Sequence, residues 1–292
     1  MHLGAGVDRV LFSEGHLSTV LGVELSSGAQ VAVKIRPWAD RLWGCATVHR
    51  RLFELGFPCP EPLVDLEPMG GLAVSAEAIV SGGEPLPYSG RLAAPFATAL
   101  ARLVGLAPLP SEVPSLDPPP PWMAPDFGAA ELWPVPDDHP DIDLNAASGP
   151  SWLDEAGRVA RNKLAASASP LVVGHGDFYT GNLRWSRDEL LVVWDWDSAI
   201  ALSEPALAGL AAALYPQADE AGTDATVEES EAFLDAYQAA RGRFSGAELA
   251  EAWAAGLWGR SFDAKEQSAT AGRPKSLTEA EAVERCRRVE ER

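Results

Sequence analysis

Positive charge is scarce in this chain: 23 Lys and Arg stand against 42 Asp and Glu over 292 residues, a formal net charge of −19. Polyanions are gripped by clustered Lys and Arg, so this balance argues against a nucleic-acid partner. Cysteine is scarce as well. Cys45, Cys59 and Cys286 are odd in number, far apart and without metal-ligand spacing, which excludes a disulfide framework and points to reduced thiols in a cytoplasmic protein. Long apolar runs are missing. The most apolar stretch, ALAGLAAALY after Pro205, has about half the length a membrane span requires, so no membrane partner is expected. The opening MHLGAGVDRVLFSEG lacks the basic start and apolar run of a signal peptide. What is present is 47 % hydrophobic content in a chain long enough for two lobes with sizeable cores.

The most informative segment is VVGHGDFYTGNLRWSRDELLVVWDWDSA, residues 172 to 199. It sets Asp177 just past a strand, Asn182 five residues later, and Asp195 and Asp197 at the end of a Val-rich run. The short turn SRDE makes a hairpin-like ribbon that would gather all four. An Asn carbonyl and an Asp carboxylate are hard oxygen donors suited to magnesium, which binds few protein ligands and keeps phosphate oxygens and water. A separate Asp is left to orient an attacking hydroxyl, the division of labour of phosphoryl transfer. Trp194 and Trp196, flanking Asp195, read as packing residues of a strand covered on both faces.

The order H-G-D-x-x-x-x-N and then apolar-D-W-D resembles the aminoglycoside phosphotransferase and choline kinase family, small-molecule kinases with a protein-kinase-like fold. The resemblance implies a two-lobed α+β fold. Residues 1–82 would form an N-terminal nucleotide-binding lobe with an antiparallel sheet and one helix, and residues 83–292 a mainly helical catalytic and acceptor-binding lobe. It implies ATP, or GTP, with Mg2+, and Asp177 as catalytic base. Asn182 and Asp195 would be metal ligands, His175 a residue ordering the loop, and Asp197 a supporting residue.

The rest of the chain fits this frame. VDRVLF, LSTVLGVEL and AQVAVKI read as successive strands separated by turn signals. By the same resemblance Gly15 and Ser18, in the first turn, would belong to a phosphate-covering loop, with a plain hairpin turn as the alternative. Lys34, among apolar neighbours in VAVKI, is the candidate for the α- and β-phosphates. A helix over Arg41 to Leu55 ends at Gly56, and FPCPEPL follows as a turn. In kinases this helix carries a Glu that pairs with the lysine. Here Asp40 and Glu54 are the only carboxylates between Ile35 and Pro60, and the usual position falls near Cys45. LAVSAEAIVSGG reads as a strand entering a crossing whose residues Glu77 to Ser81, Ile79 among them, would offer backbone to the base. A helix over Gly90 to Leu106 comes next. A second helix, capped by Ser151, leads into the ribbon, and four more follow near 204–215, 226–241, 245–270 and 277–291.

The acid is unevenly spread. Residues 103 to 157 hold ten Asp and Glu and no Lys or Arg, and residues 188 to 240 hold twelve and none. If these stretches face the cleft, their field attracts a cation such as an amino sugar or amino alcohol; if not, they are solvated surface. Pro-rich 107–150 carries Asp137, Asp138, Asp141 and Asp143, either acceptor contacts or part of a mobile acidic loop. Trp253, Trp258 and Phe262 read as core, with stacking on an acceptor ring as the alternative. The expected function is transfer of the γ-phosphate of ATP to a hydroxyl of a small-molecule acceptor, a cationic one among the candidates. The missing helix carboxylate motivates a rival, a non-catalytic nucleotide sensor of the same fold. A dinuclear metal hydrolase is disfavoured because His175 is the only histidine near the carboxylates.

Overall fold

Three β-branched runs joined by tight turns lay down the first half of a five-stranded antiparallel sheet: β1 (Val7–Gly15), β2 (Thr19–Leu25) and β3 (Gln30–Pro37). The computed structural model describes residues 3–15, 17–89, 92–217, 224–272 and 274–291. His16 in the first turn, Gly90 at the expected helix start, and Asp219 and Glu220 of the second acidic run lie outside them. Helix α1 (Arg41–Glu54) follows, and β4 (Pro62–Met69) and β5 (Leu72–Ala78) complete the sheet in the order β1-β2-β3-β5-β4. β4 was absent from the expectation. It runs as an edge strand, where Pro62 and Pro68 deprive no second neighbour of a hydrogen bond.

After the sheet the chain is mainly helical. Helices α2 (Ala93–Leu106), α3 (Ser151–Ala165), α4 (Glu204–Leu214), α5 (Val227–Arg241), α6 (Gly246–Ala271) and α7 (Glu279–Glu290) agree with the apolar spacing to within a few residues. Ser151 is the first helical residue rather than the cap; Pro150 precedes it and no side chain caps that end. Among the described residues no helix is long and apolar enough to cross a membrane. Two small ribbons complete the lobe: β6 (Leu171–His175) with β9 (Ala199–Ser203), and β7 (Leu183–Ser186) with β8 (Glu189–Val193).

Segment 107–150 is irregular yet anchored. Leu116 packs under Gly44 of α1, Met123 against Gly176, and the Trp133 ring stacks on Trp258 at 5.3 Å. These few apolar contacts, with the Trp133 indole N–H on Asp154 at 2.7 Å, fix a chain that has no periodicity to reveal it. Trp253, Trp258 and Phe262 are core residues, as their helical spacing suggested.

Helices α4 and α6 meet through glycine. A Cβ on Gly209 would overlap the backbone of Ala252, and one on Gly256 would come within 2.7 Å of the Gly209 carbonyl oxygen. Backbone cannot step aside as a side-chain tip can. Gly209→Ala is therefore expected to cost about 3 kcal/mol and to lower the thermal midpoint by about 6–12 °C. A midpoint within about 2 °C of wild type in a calorimetric scan would refute this packing argument.

Candidate active site

The HGD turn is built by close packing. Gly176 leaves β6 with its N–H on Ser198 O at 2.8 Å, and a Cβ there would strike Met123. His175 is fully buried, its ring edge-on to Phe178 and Trp196. Burial lowers its pKa, and because the Trp194 carbonyl oxygen can only accept, Nε2 carries a proton and donates it at 2.9 Å. That bond ties the start of the turn to the residue before Asp195. Asp177 follows, and the Asn182 amide nitrogen donates to both its carbonyl and its Oδ2, each at 2.9 Å.

The β7–β8 ladder carries Asn182 and Asp195 to the same end of a ribbon. Leu183 pairs with Val193, and Trp194 N–H donates to Asn182 O at 2.9 Å. The strand stops there. Asp195 has φ 58°, a left-handed conformation uncommon outside glycine, and Trp196–Ser198 form a short 3-10 turn. Trp194 and Trp196 thus do not alternate on a strand, as the sequence suggested. The backbone reversal at Asp195 sends Trp196 into the core against His49, while the Arg184 guanidinium lies over the Trp194 ring.

Lys34 projects from β3 onto this turn. Its ammonium contacts Asp195 Oδ1 and lies 2.8 Å from Asp197 Oδ2. Burial acts to lower its pKa, and the two carboxylates outweigh burial, leaving it above the ordinary lysine value. Asp195 is held below the ordinary carboxylate range, burial being outweighed by Lys34, and Ser198 Oγ donates to its Oδ2 at 2.9 Å. Arg36, two residues along the same face of β3, reaches Asp197 as well.

Asp177 has the opposite electrostatics. Burial, reinforced by the charge of Asp195 and opposed by the Asn182 hydrogen bond, pushes its carboxyl up to about 7. It lines a cavity of about 290 Å³ together with Trp122, Asp138, His139, Asp263 and Glu266. Asp263, on α6, is pushed up to about 8 by burial and by the neighbouring Asp224. Sequence reading passed over Asp263 and Glu266; an acid inside the apolar run GLWGRSFDAK was the available signal. Of the four Asp proposed in segment 107–150, Asp138 alone lines this cavity. Asp137 and Asp141 are exposed, and Asp143 accepts the backbone N–H groups of Asn145 and Ala146 to form a turn. The acid in the cavity comes from the HGD turn and α6 more than from the two acidic runs.

The remaining expected residues are placed less centrally. Gly15 and Ser18 flank the tip of the β1–β2 hairpin, and no hydrogen bond among the described residues links them to the carboxylates. Glu77 lies inside β5 rather than in a crossing, its carboxylate 3.9 Å from His49 Nδ1 and pushed up by burial to about 7. The Ile79 N–H is already donated to Gln30 O at 3.1 Å. The chain then crosses to the large lobe, where Glu84 pairs with Trp185 of β7.

Among the described residues no three His, Cys, Asp or Glu side chains form a self-sufficient metal cage. The donor set suits magnesium in a site completed by phosphate: Asp195 offers a carboxylate, and Asn182, its nitrogen turned to Asp177, keeps a carbonyl oxygen without a hydrogen bond among the described residues.

The overall fold is shared by solved structures of low sequence identity. The amicoumacin kinase hAmiN, in complex with AMP-PNP, Ca2+ and Ami, superposes with a TM-score of 0.60 at 13 % identity over 97 % of this chain and 87 % of that one. Spectinomycin phosphotransferase APH(9)-Ia, in complex with ADP and spectinomycin, gives 0.54 at 11 % identity over 99 % and 90 %. A putative fructosamine-3-kinase from Thermobifida fusca gives 0.53 at 17 % identity over 99 % and 96 %. No curated protein matches the sequence significantly. The profile of the Phosphotransferase enzyme family, APH, matches residues 11–257, and with that match across most of the chain and the kinase-like fold around the HGD turn, the protein belongs to this family.

Proposed function

We propose that the protein transfers the γ-phosphate of ATP to a hydroxyl of a small molecule that carries a positively charged group. One observation carries this reading. Asp177 is shared by two environments: it is hydrogen-bonded to Asn182 beside the Lys34–Asp195 pair, and it lines a cavity whose other charged or titratable members are Asp138, His139, Asp263 and Glu266. The phosphate donor belongs on the first side and the acceptor on the second, with the base between them.

In this mechanism Lys34 binds the phosphate chain, and Asn182 and Asp195 hold Mg2+. The metal, when bound, neutralises charge on the phosphate oxygens. Asp177 accepts the acceptor's hydroxyl proton as that oxygen bonds to the γ-phosphorus and the bond to the β-phosphate oxygen breaks, releasing ADP. A carboxyl poised near neutrality is matched to that task. Asp263 and Glu266 would hold an ammonium group of the acceptor, whose charge also relieves the cost of ionising buried carboxyls. His175 keeps the turn in register through Trp194.

The test is ADP release from ATP and Mg2+ across a panel of hydroxylated acceptors, cationic and neutral, with Asp263→Asn alongside. Turnover is expected with amine-bearing acceptors. Asp263→Asn should raise their KM by about tenfold or more while leaving the KM for ATP unchanged. Equal use of neutral acceptors would remove the cation. Nucleotide binding with no acceptor-dependent turnover anywhere would move the reading to a non-catalytic nucleotide sensor.

A further inference from the structure

Helix α1 lacks the acid that kinases use to hold their lysine, and the structure gives a chemical reason. The face of α1 toward the site meets backbone carbonyls. Arg41 donates through Nη1 to Asp197 O at 2.6 Å and through Nη2 to Ala199 O at 2.8 Å. The Cys45 thiol reaches the same two oxygens at 3.5 and 3.7 Å, and the His49 ring stacks on Trp196. A carboxylate at position 45 would face those acceptors with no proton to offer. Only donors satisfy that surface.

The carboxylate comes from the other side. Asp197 Oδ2 lies 2.8 Å from Lys34 Nζ and 2.9 Å from Arg36 Nε, and Arg36 Nη2 donates to Asp197 Oδ1 at 2.9 Å. Arg36 is itself buried and fixed, donating to Ser75 Oγ at 2.8 Å and to Lys34 O at 3.2 Å. Lys34 and Arg36 thus converge on one carboxylate, which Arg36 immobilises. Glu77, the other acid near Lys34, lies beside His49 and has no contact with the ammonium among the described residues.

We propose that Asp197, clamped by Arg36, is the positioning residue for Lys34 and performs the role that a helix glutamate performs elsewhere, an inference that rests on Lys34 binding the nucleotide. Asp197 acts through Lys34 and touches neither nucleotide nor acceptor. The helix instead holds the backbone that carries Asp197, so the lysine is set by the same turn that presents Asp195.

The test is a double-mutant cycle on ATP binding without divalent metal, measured by calorimetry in wild type, Asp197→Asn, Lys34→Ala and the double variant. Omitting metal silences any contribution of Asp197 as a metal ligand. Asp197→Asn is expected to weaken ATP about tenfold when Lys34 is present and by less than about twofold when it is absent. Arg36→Gln leaves the carboxylate in place, guards against misfolding of the first variant, and should give a smaller loss with the same dependence on Lys34. Equal losses in both lysine backgrounds, or no loss with Lys34 present, would overturn the proposal. A wild-type protein that binds ATP neither without metal nor with magnesium added would overturn the nucleotide reading along with it, whereas normal binding with an additive cycle removes Asp197 alone.

Discussion

Asp177→Asn is expected to reduce phosphate transfer about 10³-fold, the upper part of what a positioned general base contributes, while ATP affinity stays within about threefold of wild type. The substitution keeps size and shape. The new amide can still turn its oxygen to the Asn182 nitrogen that now donates to Oδ2 at 2.9 Å, so the loop has no reason to move. What is lost is the capacity to accept a proton. The wild-type pH profile carries the same assignment. Asp177 is active when ionised, and its carboxyl is raised by burial and by Asp195 to about 7 before ligands bind. The rate should therefore fall as pH drops below about 7, and this acid limb should vanish in the variant. An Asp177→Asn protein retaining a tenth or more of the activity would eliminate the base.

The second large effect concerns Asp195. Asp195→Asn should abolish the gain in ATP affinity that magnesium provides, with apparent magnesium affinity falling at least about 100-fold, beyond what removal of an outer-shell partner costs. The comparison is clean because asparagine tolerates the left-handed backbone observed at φ 58°, and because Ser198 can still donate to the side-chain oxygen. Lys34 keeps Asp197 as its remaining carboxylate. Binding of ATP alone should change little. A magnesium titration superimposable on wild type would show that the metal is held elsewhere.

These residues were legible because their chemistry is concentrated in one segment. Between Gly174 and Asp197 the order of polar groups, the SRDE turn and the apolar strands together imply a ribbon, and the observed ladder from Leu183–Val193 to Ser186–Glu189 closes it. What escaped the sequence is whatever depends on contact between distant segments. Asp263 is 86 residues from Asp177 and lies in a helix whose spacing reads as core. Edge strand β4 hides behind two prolines and two acids, tolerable because among the described residues it pairs with a strand on one side alone. The Pro-rich stretch shows no period because it is held by isolated anchors, Leu116, Met123, Trp133 and Leu144, and not by a regular face. Arg36 carries no local signal in the sequence, because its partner Asp197 lies 161 residues away on the turn that β3 meets.

The core divides at an unexpected place. Cys45, Val48 and Leu52 of α1, with Phe57 just beyond it, are packed into the same apolar cluster as the large-lobe helices. Val23, Leu25, Val31 and Ala76 form a small separate cluster within the sheet. Leu42, Leu66 and Ala73 make only a slim seam between α1 and the sheet. In its apolar packing, then, α1 belongs with the large lobe although it is threaded through the sheet's sequence. Polar contacts bridge that thin seam: Arg50 of α1 pairs with Asp65 of β4 and donates to Pro62 O, while Lys34 and Arg36 of β3 grip the turn at Asp195 and Asp197, so the sheet is held to the rest of the molecule by charge where it is not held by apolar packing.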